Sequence, residues 1–412
     1  MSQTRHPKKP THQMNWLIFA LMLPHLKPKC LDLLFPGVYR LLDIARILSL
    51  LVVCGLFLRR FLREKKLPSF PVLALGLMEF WICLVAVRTY GDYVETCSLA
   101  VSVMGVALLA DLYAHRMDEL LTSLMLNYEW MVYANLLSVL QDPSGGLILD
   151  PAYNHTPIYF FGPGNWCMYL CIPAVCVTLL YLRIRMDSPD RKHSLLRGGC
   201  LIAASWATVL ICRPVTTVIA MVVMALVLLL SFLPRLRRCV TFPPVLLCCI
   251  AADLAVSVFR VMETSPLIAA FIKNVLKKKL TLTGRTKIWT KFLSVIPDKL
   301  WTGIGTPKNG YIADKRLYDH MHNQYFDLLA QGGIPALALF LSALLAAGWK
   351  LTVHRKTPSA KIMTAVMAAL LVTCIPEVCR HGSVFLLFPL AYHVDKIEAL
   401  CLSGASRADS QG

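Results

Sequence analysis

Three basic residues and an asparagine stand out in an otherwise apolar chain: Arg213, Arg285, His322 and Asn323. An imidazole titrates near neutrality and can take a proton from an attacking hydroxyl, which makes His322 the first candidate for a general base. A guanidinium forks onto phosphate oxygens, so Arg213 and Arg285 near one face would suit a diphosphate. Asn323 could orient the histidine or bind a sugar. Each residue has a plainer reading as well. Arg213, at the tip of a hairpin between two apolar runs, could snorkel to lipid headgroups. Burying it would cost roughly 2.5–3.5 kcal/mol at a helix centre on insertion scales. Arg285 could be the solvated face of a helix, and His322 a capping or interface residue. His320 and His322 form a His-x-His pair, but no third ligand stands at a suitable spacing, and no metal is expected. A Walker loop, a dinucleotide fingerprint and a serine-nucleophile elbow are all missing from the sequence, and no cofactor is expected.

The stretch Thr281–Phe340 must position these groups, and it is the long polar segment of the chain. Ile288, Trp289, Phe292, Leu293 and Ile296 share a helical face, so an amphipathic helix carrying Arg285 is expected to lie along the membrane. Gly303-Ile304-Gly305-Thr306-Pro307 then breaks the helix, and Gly332-Gly333 precedes a new apolar run.

The class follows from composition. The chain has 412 residues, 57% of them hydrophobic and 16% charged, with a mean hydropathy of +0.59. Several apolar runs approach the roughly 20 residues that cross a bilayer. The expectation is an all-α polytopic transmembrane bundle of about twelve spans, forming one integral membrane domain over residues 1–412, with a large external loop at 262–333. The net charge of +18 sits in short loops, a positive-inside pattern facing anionic lipid rather than nucleic acid. Most of the 15 cysteines lie within apolar runs, where a thiol behaves as a small hydrophobe. No disulfide framework is expected.

Spans are expected at 41–58, 70–87, 96–112, 120–140, 166–182, 201–212, 214–233, 245–261, 334–348, 362–374 and 384–400. Residues 15–26 form a short first segment interrupted by Pro24. With that segment counted, the strongly basic loops fall on one face and both termini are cytoplasmic. Arg213, the 141–165 loop, the 281–340 stretch and the Glu377–His381 turn then share the external face. The spans themselves are nearly free of charge, unlike those of a lipid-linked sugar flippase or transporter, which would line a cavity with charged residues.

Gly284-Arg285-x-x-Ile288-Trp289, Gly303-x-Gly305 and His322-Asn323-x9-Gly333 together resemble the O-antigen ligase and polysaccharide polymerase superfamily. Cys212-Arg213-Pro214 resembles that family's Ser/Thr-Arg hairpin, and Phe161-Gly162-Pro163-Gly164-Asn165 its Gly-x-x-Asn external loop. The resemblance implies a metal-independent glycosyltransferase of a bacterial inner membrane, acting on its external face. The donor would be a polyprenyl-diphosphate-linked glycan and the acceptor a glycan or a lipid. By the same resemblance Arg213 and Arg285 hold the diphosphate and His322 activates the acceptor hydroxyl; Asn323, Asn165 and Trp289 are further candidates for binding substrate. His322-Asn323-Gln324-Tyr325 is closer to the polymerase version than to the ligase that transfers glycan to lipid A core.

Overall fold

The computed structural model describes residues 14–408 except 152–154, 262–264, 267–269, 271–284, 308–310, 314–315 and 319. Gly284 therefore lies outside the described residues. The α-helices begin with α1 (Trp16–Met22), α2 (Cys30–Leu34), α3 (Pro36–Glu64), α4 (Phe70–Arg88), α5 (Tyr93–Leu112), α6 (Met117–Gln141), α7 (Cys167–Arg185), α8 (Arg191–Cys212), α9 (Val215–Phe232) and α10 (Phe242–Asp253). After these come α11 (Arg285–Val295), α12 (Gln324–Val353), α13 (Pro358–Cys374), α14 (Gly382–Phe385), α15 (Leu387–Tyr392) and α16 (Val394–Ala408). Two small hairpins, Ile148–Asp150 with Thr156–Ile158 and Tyr311–Ala313 with Arg316–Tyr318, lie between the helices, as do short 3-10 turns such as Gly164–Trp166 and a π turn at Leu254–Val258.

Among the described residues, seven helical stretches are long and apolar enough to cross a membrane. One of them, Tyr93–Gln141, is α5 and α6 joined by a tight 3-10 turn. Shorter apolar helices lie at Trp16–Leu26, Phe242–Val258, Pro358–Cys374 and Gly382–Tyr392. The expected polytopic helical membrane architecture is thus the one observed.

Polar contacts tie the helix ends into two levels. At one end, His393 Nε2 pairs with Asp111 at 2.6 Å and Arg183 with Glu398 at 3.1 Å. Ser359 donates to Glu398 at 2.7 Å, and Arg185 to Thr122 at 2.9 Å. The basic loops belong to this end. At the other end, Asn323 reaches the Ile375 carbonyl at 3.0 Å and the Tyr169 hydroxyl reaches that of Val378 at 2.6 Å. There the Asp92 amide also reaches the Thr306 carbonyl at 2.6 Å. The long described helices run between these levels, and Asn15 and Glu398 lie at the same, basic end.

The short first segment also runs between these levels. The Asn15 side chain binds Glu119 at 2.7 Å and its amide binds Ser123 at 3.1 Å. The Lys29 amide meets the Phe161 carbonyl at 3.0 Å, on a loop fastened to Asn135 at 2.8 Å and to Ser138 at 2.9 Å. At 1.5 Å per residue, those levels of α6 are about 20 Å apart. A short helix and its extended tail together cover the distance.

Two expectations are corrected. The last run is not one helix over 384–400 but α14, α15 and α16 in succession; Pro389 lies inside α15, where it cannot donate to the helical ladder. Within the nearly charge-free spans, Glu79 of α4 lies fully enclosed against Arg380. The amphipathic helix α11 does not spend its apolar face on lipid. Ile288, Trp289, Phe292 and Ile296 pack with Met321, Phe326 and Ala330 in a protein cluster, while Leu293 is exposed.

Candidate functional site

Two glycine-dependent contacts build the floor of the site. Gly333, at φ +65°, breaks α12, and a Cβ there would stand 2.5 Å from the Leu300 carbonyl oxygen. Gly303, at φ +75°, backs onto the same break, where a Cβ would stand 2.5 Å from the Ala330 carbonyl. Only glycine combines left-handed φ with such close backbone approach. The amides of Ile304 and Gly305 donate to Ala330 at 2.6 and 2.9 Å, and that of Ile334 to Leu300 at 2.7 Å. The Gly-x-Gly turn and the Gly-Gly break are therefore two sides of one joint, which ties the segment after α11 to the break within α12.

His322 sits just before that start of α12, with φ +49°. A histidine in the left-handed region is strained unless its neighbours hold it. Here His320 Nδ1 accepts the His322 backbone N–H at 3.1 Å, and the two rings lie 4.1 Å apart between centroids. The two histidines act together rather than pointing apart. Burial pushes His320 down to about 3, with the neighbouring His322 adding to the effect, so His320 is neutral and its acceptor nitrogen stays available.

The group that joins the candidates is Glu377, in the turn after α13. One carboxylate oxygen pairs with Arg285 Nη2, and the other lies 3.7 Å from His322 Nδ1. Burial works to raise this carboxyl. The adjacent His322 ring and the Arg285 guanidinium outweigh it, and the group is held below its ordinary value. Glu377 is thus an anion fastened between a guanidinium and an imidazole. Sequence reasoning marked the Glu377–His381 turn as unusually polar but did not see this bridge, because the partners are far apart along the chain. The available signal was a carboxylate beside Pro376 inside an otherwise apolar region.

The remaining candidates divide. Asn323 is fully enclosed: its oxygen caps α12 through the amides of Tyr325 and Phe326 at 2.9 and 3.0 Å, and its nitrogen reaches Asp253 at 2.8 Å. Trp289 is 1% exposed and donates to the Met321 carbonyl at 2.8 Å. Both fix the loop that carries His322, so their observed contacts are structural ones. Arg213 is exposed at the surface of the protein and is not enclosed by it. It ends α8 in a left-handed cap, φ 52°, before Pro214. Asn165 is exposed on a 3-10 turn whose Gly164 packs against Cys212. The Asn165 turn and the Arg213 cap are therefore neighbours.

Arg213 also belongs to the end that carries His322. Lys361, at the start of α13, lies 4.5 Å over the ring of Phe232, at the finish of α9. The two helices pack extensively and run antiparallel, so the start of α9 meets the finish of α13, next to Glu377.

The arrangement can hold an anion beside a histidine whose Nδ1 faces a carboxylate. Compared with known families, residues 168–341 match the model described as O-antigen ligase, which supports the superfamily named from the motifs. The match contains Arg213, Arg285, His322 and Gly333 and ends before Glu377. No curated protein matches the chain.

Proposed function

We propose that this chain, an O-antigen ligase-like membrane protein through its residues 168–341, is a metal-independent glycosyltransferase using a polyprenyl-diphosphate-linked glycan as donor. Residues 1–412 form one membrane domain, and 262–333 supply the loop over its external side. The observation that supports this most is the meeting of Arg285 and His322 on the Glu377 carboxylate, at the end of the bundle opposite the basic loops. By the positive-inside pattern that end faces outward from a bacterial inner membrane, with Asn15 and the last helix cytoplasmic.

In this reading the acceptor hydroxyl attacks the anomeric carbon of the donor sugar. The bond from that carbon to the diphosphate oxygen breaks, and the lipid diphosphate leaves with the bonding electrons. Negative charge gathers on phosphate oxygens, where Arg213 and Arg285 stabilise it. With Nδ1 turned toward Glu377, His322 takes the hydroxyl proton at Nε2, and the carboxylate stabilises the imidazolium that forms. A diphosphate reaching Arg285 competes with Glu377 for the guanidinium. Its arrival leaves the carboxylate to His322, which couples donor binding to activation of the base.

The product is a longer glycan on lipid diphosphate if the acceptor is another lipid-linked unit, and a capped lipid A core if the chain is a ligase. His322-Asn323-Gln324-Tyr325 favours the polymerase. Purified protein supplied with lipid-diphosphate glycan, first alone and then with lipid A core, separates the two. Chain growth without added core means polymerase, and transfer only with core means ligase. Release of neither product would overturn the assignment.

A further inference from the structure

Glu79 and Arg380 form an ion pair with each side chain 2% exposed, at mid-length of α4. Two charges taken out of water this completely are retained at a desolvation penalty that hydrophobic replacements would not carry. Every nitrogen of the arginine has a partner. Its Nε donates to the Glu79 carboxylate at 2.9 and 3.1 Å, Nη2 pairs with the same group, and Nη1 donates to Gln331 Oε1 at 2.7 Å.

The amide of Gln331 turns its nitrogen the other way, onto Asp327 Oδ2 at 2.6 Å. The remaining oxygen of Asp327 accepts the Met321 backbone N–H at 3.1 Å. An unbroken line of hydrogen bonds therefore runs from the middle of α4 to the residue before His322. Arg380 itself lies three positions after Glu377, on the same turn. Trp81, two residues beyond Glu79, adds a bond to the Gly332 carbonyl at 2.7 Å, on the break that seats the Gly303 turn.

We infer that Glu79, Arg380, Gln331 and Asp327 are positioning residues, a buried polar line that sets the height and rotation of His322 relative to Glu377. Met321 and the Glu377 turn are both fastened to α4, so the distance between base and carboxylate is fixed by the bundle and not by the loops. Alternating donors and acceptors give the line one orientation: turning the Gln331 amide over would face its nitrogen to Arg380 and its oxygen to Asp327. This inference rests on the proposed role of His322.

The test uses the full-length protein in nanodiscs with a lipid-diphosphate glycan donor. Glu79→Met and Arg380→Met alone each leave an uncompensated charge and should lower the folded yield. The double variant removes both charges and should recover yield and melting temperature, as apolar replacements of buried pairs often do. If the line positions His322, that double variant keeps a KM within about threefold of wild type. Its kcat nevertheless falls at least tenfold, and the acid limb of its kcat profile moves in pH. Loss of folded protein alone would scale the profile without moving the limb. Gln331→Met, which cuts the line and leaves the ion pair intact, should reproduce the kcat loss and decides the matter if the double variant is not recovered. Wild-type kcat and an unmoved limb in a folded double variant, or in Gln331→Met, overturn the inference. An active His322→Ala would instead remove the underlying role of His322, so the two failures are distinguishable.

Discussion

Replacing Glu377 by glutamine keeps the side chain's shape and removes the charge that faces both Arg285 and His322. The carboxylate stands 3.7 Å from His322 Nδ1. Unit charges about 4 Å apart interact by roughly 4 kcal/mol at the effective dielectric near a protein surface. The His322 side chain is 26% exposed, so solvent screening reduces this to about 2 kcal/mol of support for the imidazolium in the transition state. That support corresponds to about a 30-fold loss of kcat. Arg285 meanwhile loses its competitor, and the KM for the lipid-diphosphate donor should fall or hold. Simultaneous loss of kcat without a rise in KM distinguishes this account from general damage to the site. Initial rates over a range of donor concentration in nanodiscs measure both. The melting temperature supplies a second arm. Glu377 is held below its ordinary value of 4.5, so its contribution to stability is complete above that pH and is lost as pH falls through the lowered value. Wild type should therefore lose melting temperature on acidification more steeply than Glu377→Gln. An unchanged kcat, or a higher KM at unchanged kcat, would refute the bridge.

Other expectations follow the same contacts. His322→Ala should lower turnover by about 10²–10⁴-fold, the usual contribution of a general base, at normal protein abundance. His320→Ala should also lower turnover measurably, since His320 holds the His322 backbone; equal loss in both variants together with chelator sensitivity would favour a metal pair instead. Arg213→Lys and Arg285→Lys keep charge but not the fork, and each should impair transfer; wild-type rates in both would leave snorkelling as the better account of Arg213. Gly333→Ala puts a Cβ 2.5 Å from a carbonyl oxygen at φ +65° and should destabilise by about 1–3 kcal/mol, visible as a lower melting temperature; a wild-type value would sink the joint described here. In a cysteine-free background, Lys299→Cys should react with an impermeant thiol reagent from outside intact cells, and reaction only after permeabilisation would reverse the orientation.

Much of the architecture was already present in the linear sequence, because its causes are local. Apolar runs such as Phe70–Arg88 and Val215–Phe232 must be helices in a bilayer, which offers no other partner for their backbone groups. The basic loops between them alternate in a way that one sequence can reveal. The glycines at 303, 305 and 333 likewise announced turns, and Arg213, Arg285 and His322 were recognisable by type and spacing. Contacts between distant segments were not legible. Nothing near Arg285 in sequence indicates Glu377, and nothing near Glu79 indicates Arg380. Periodicity identified an apolar face on α11 but could not say whether lipid or protein would cover it; Phe326 and Met321 do. Asn323 and Trp289 had the right chemistry for a substrate, yet both side chains are turned inward to cap and brace the His322 loop. Residue type and local periodicity therefore determined the membrane class and the chemical candidates. Only the folded chain decided which buried polar atoms satisfy one another, since an enclosed donor or acceptor must find its partner wherever the packing places it.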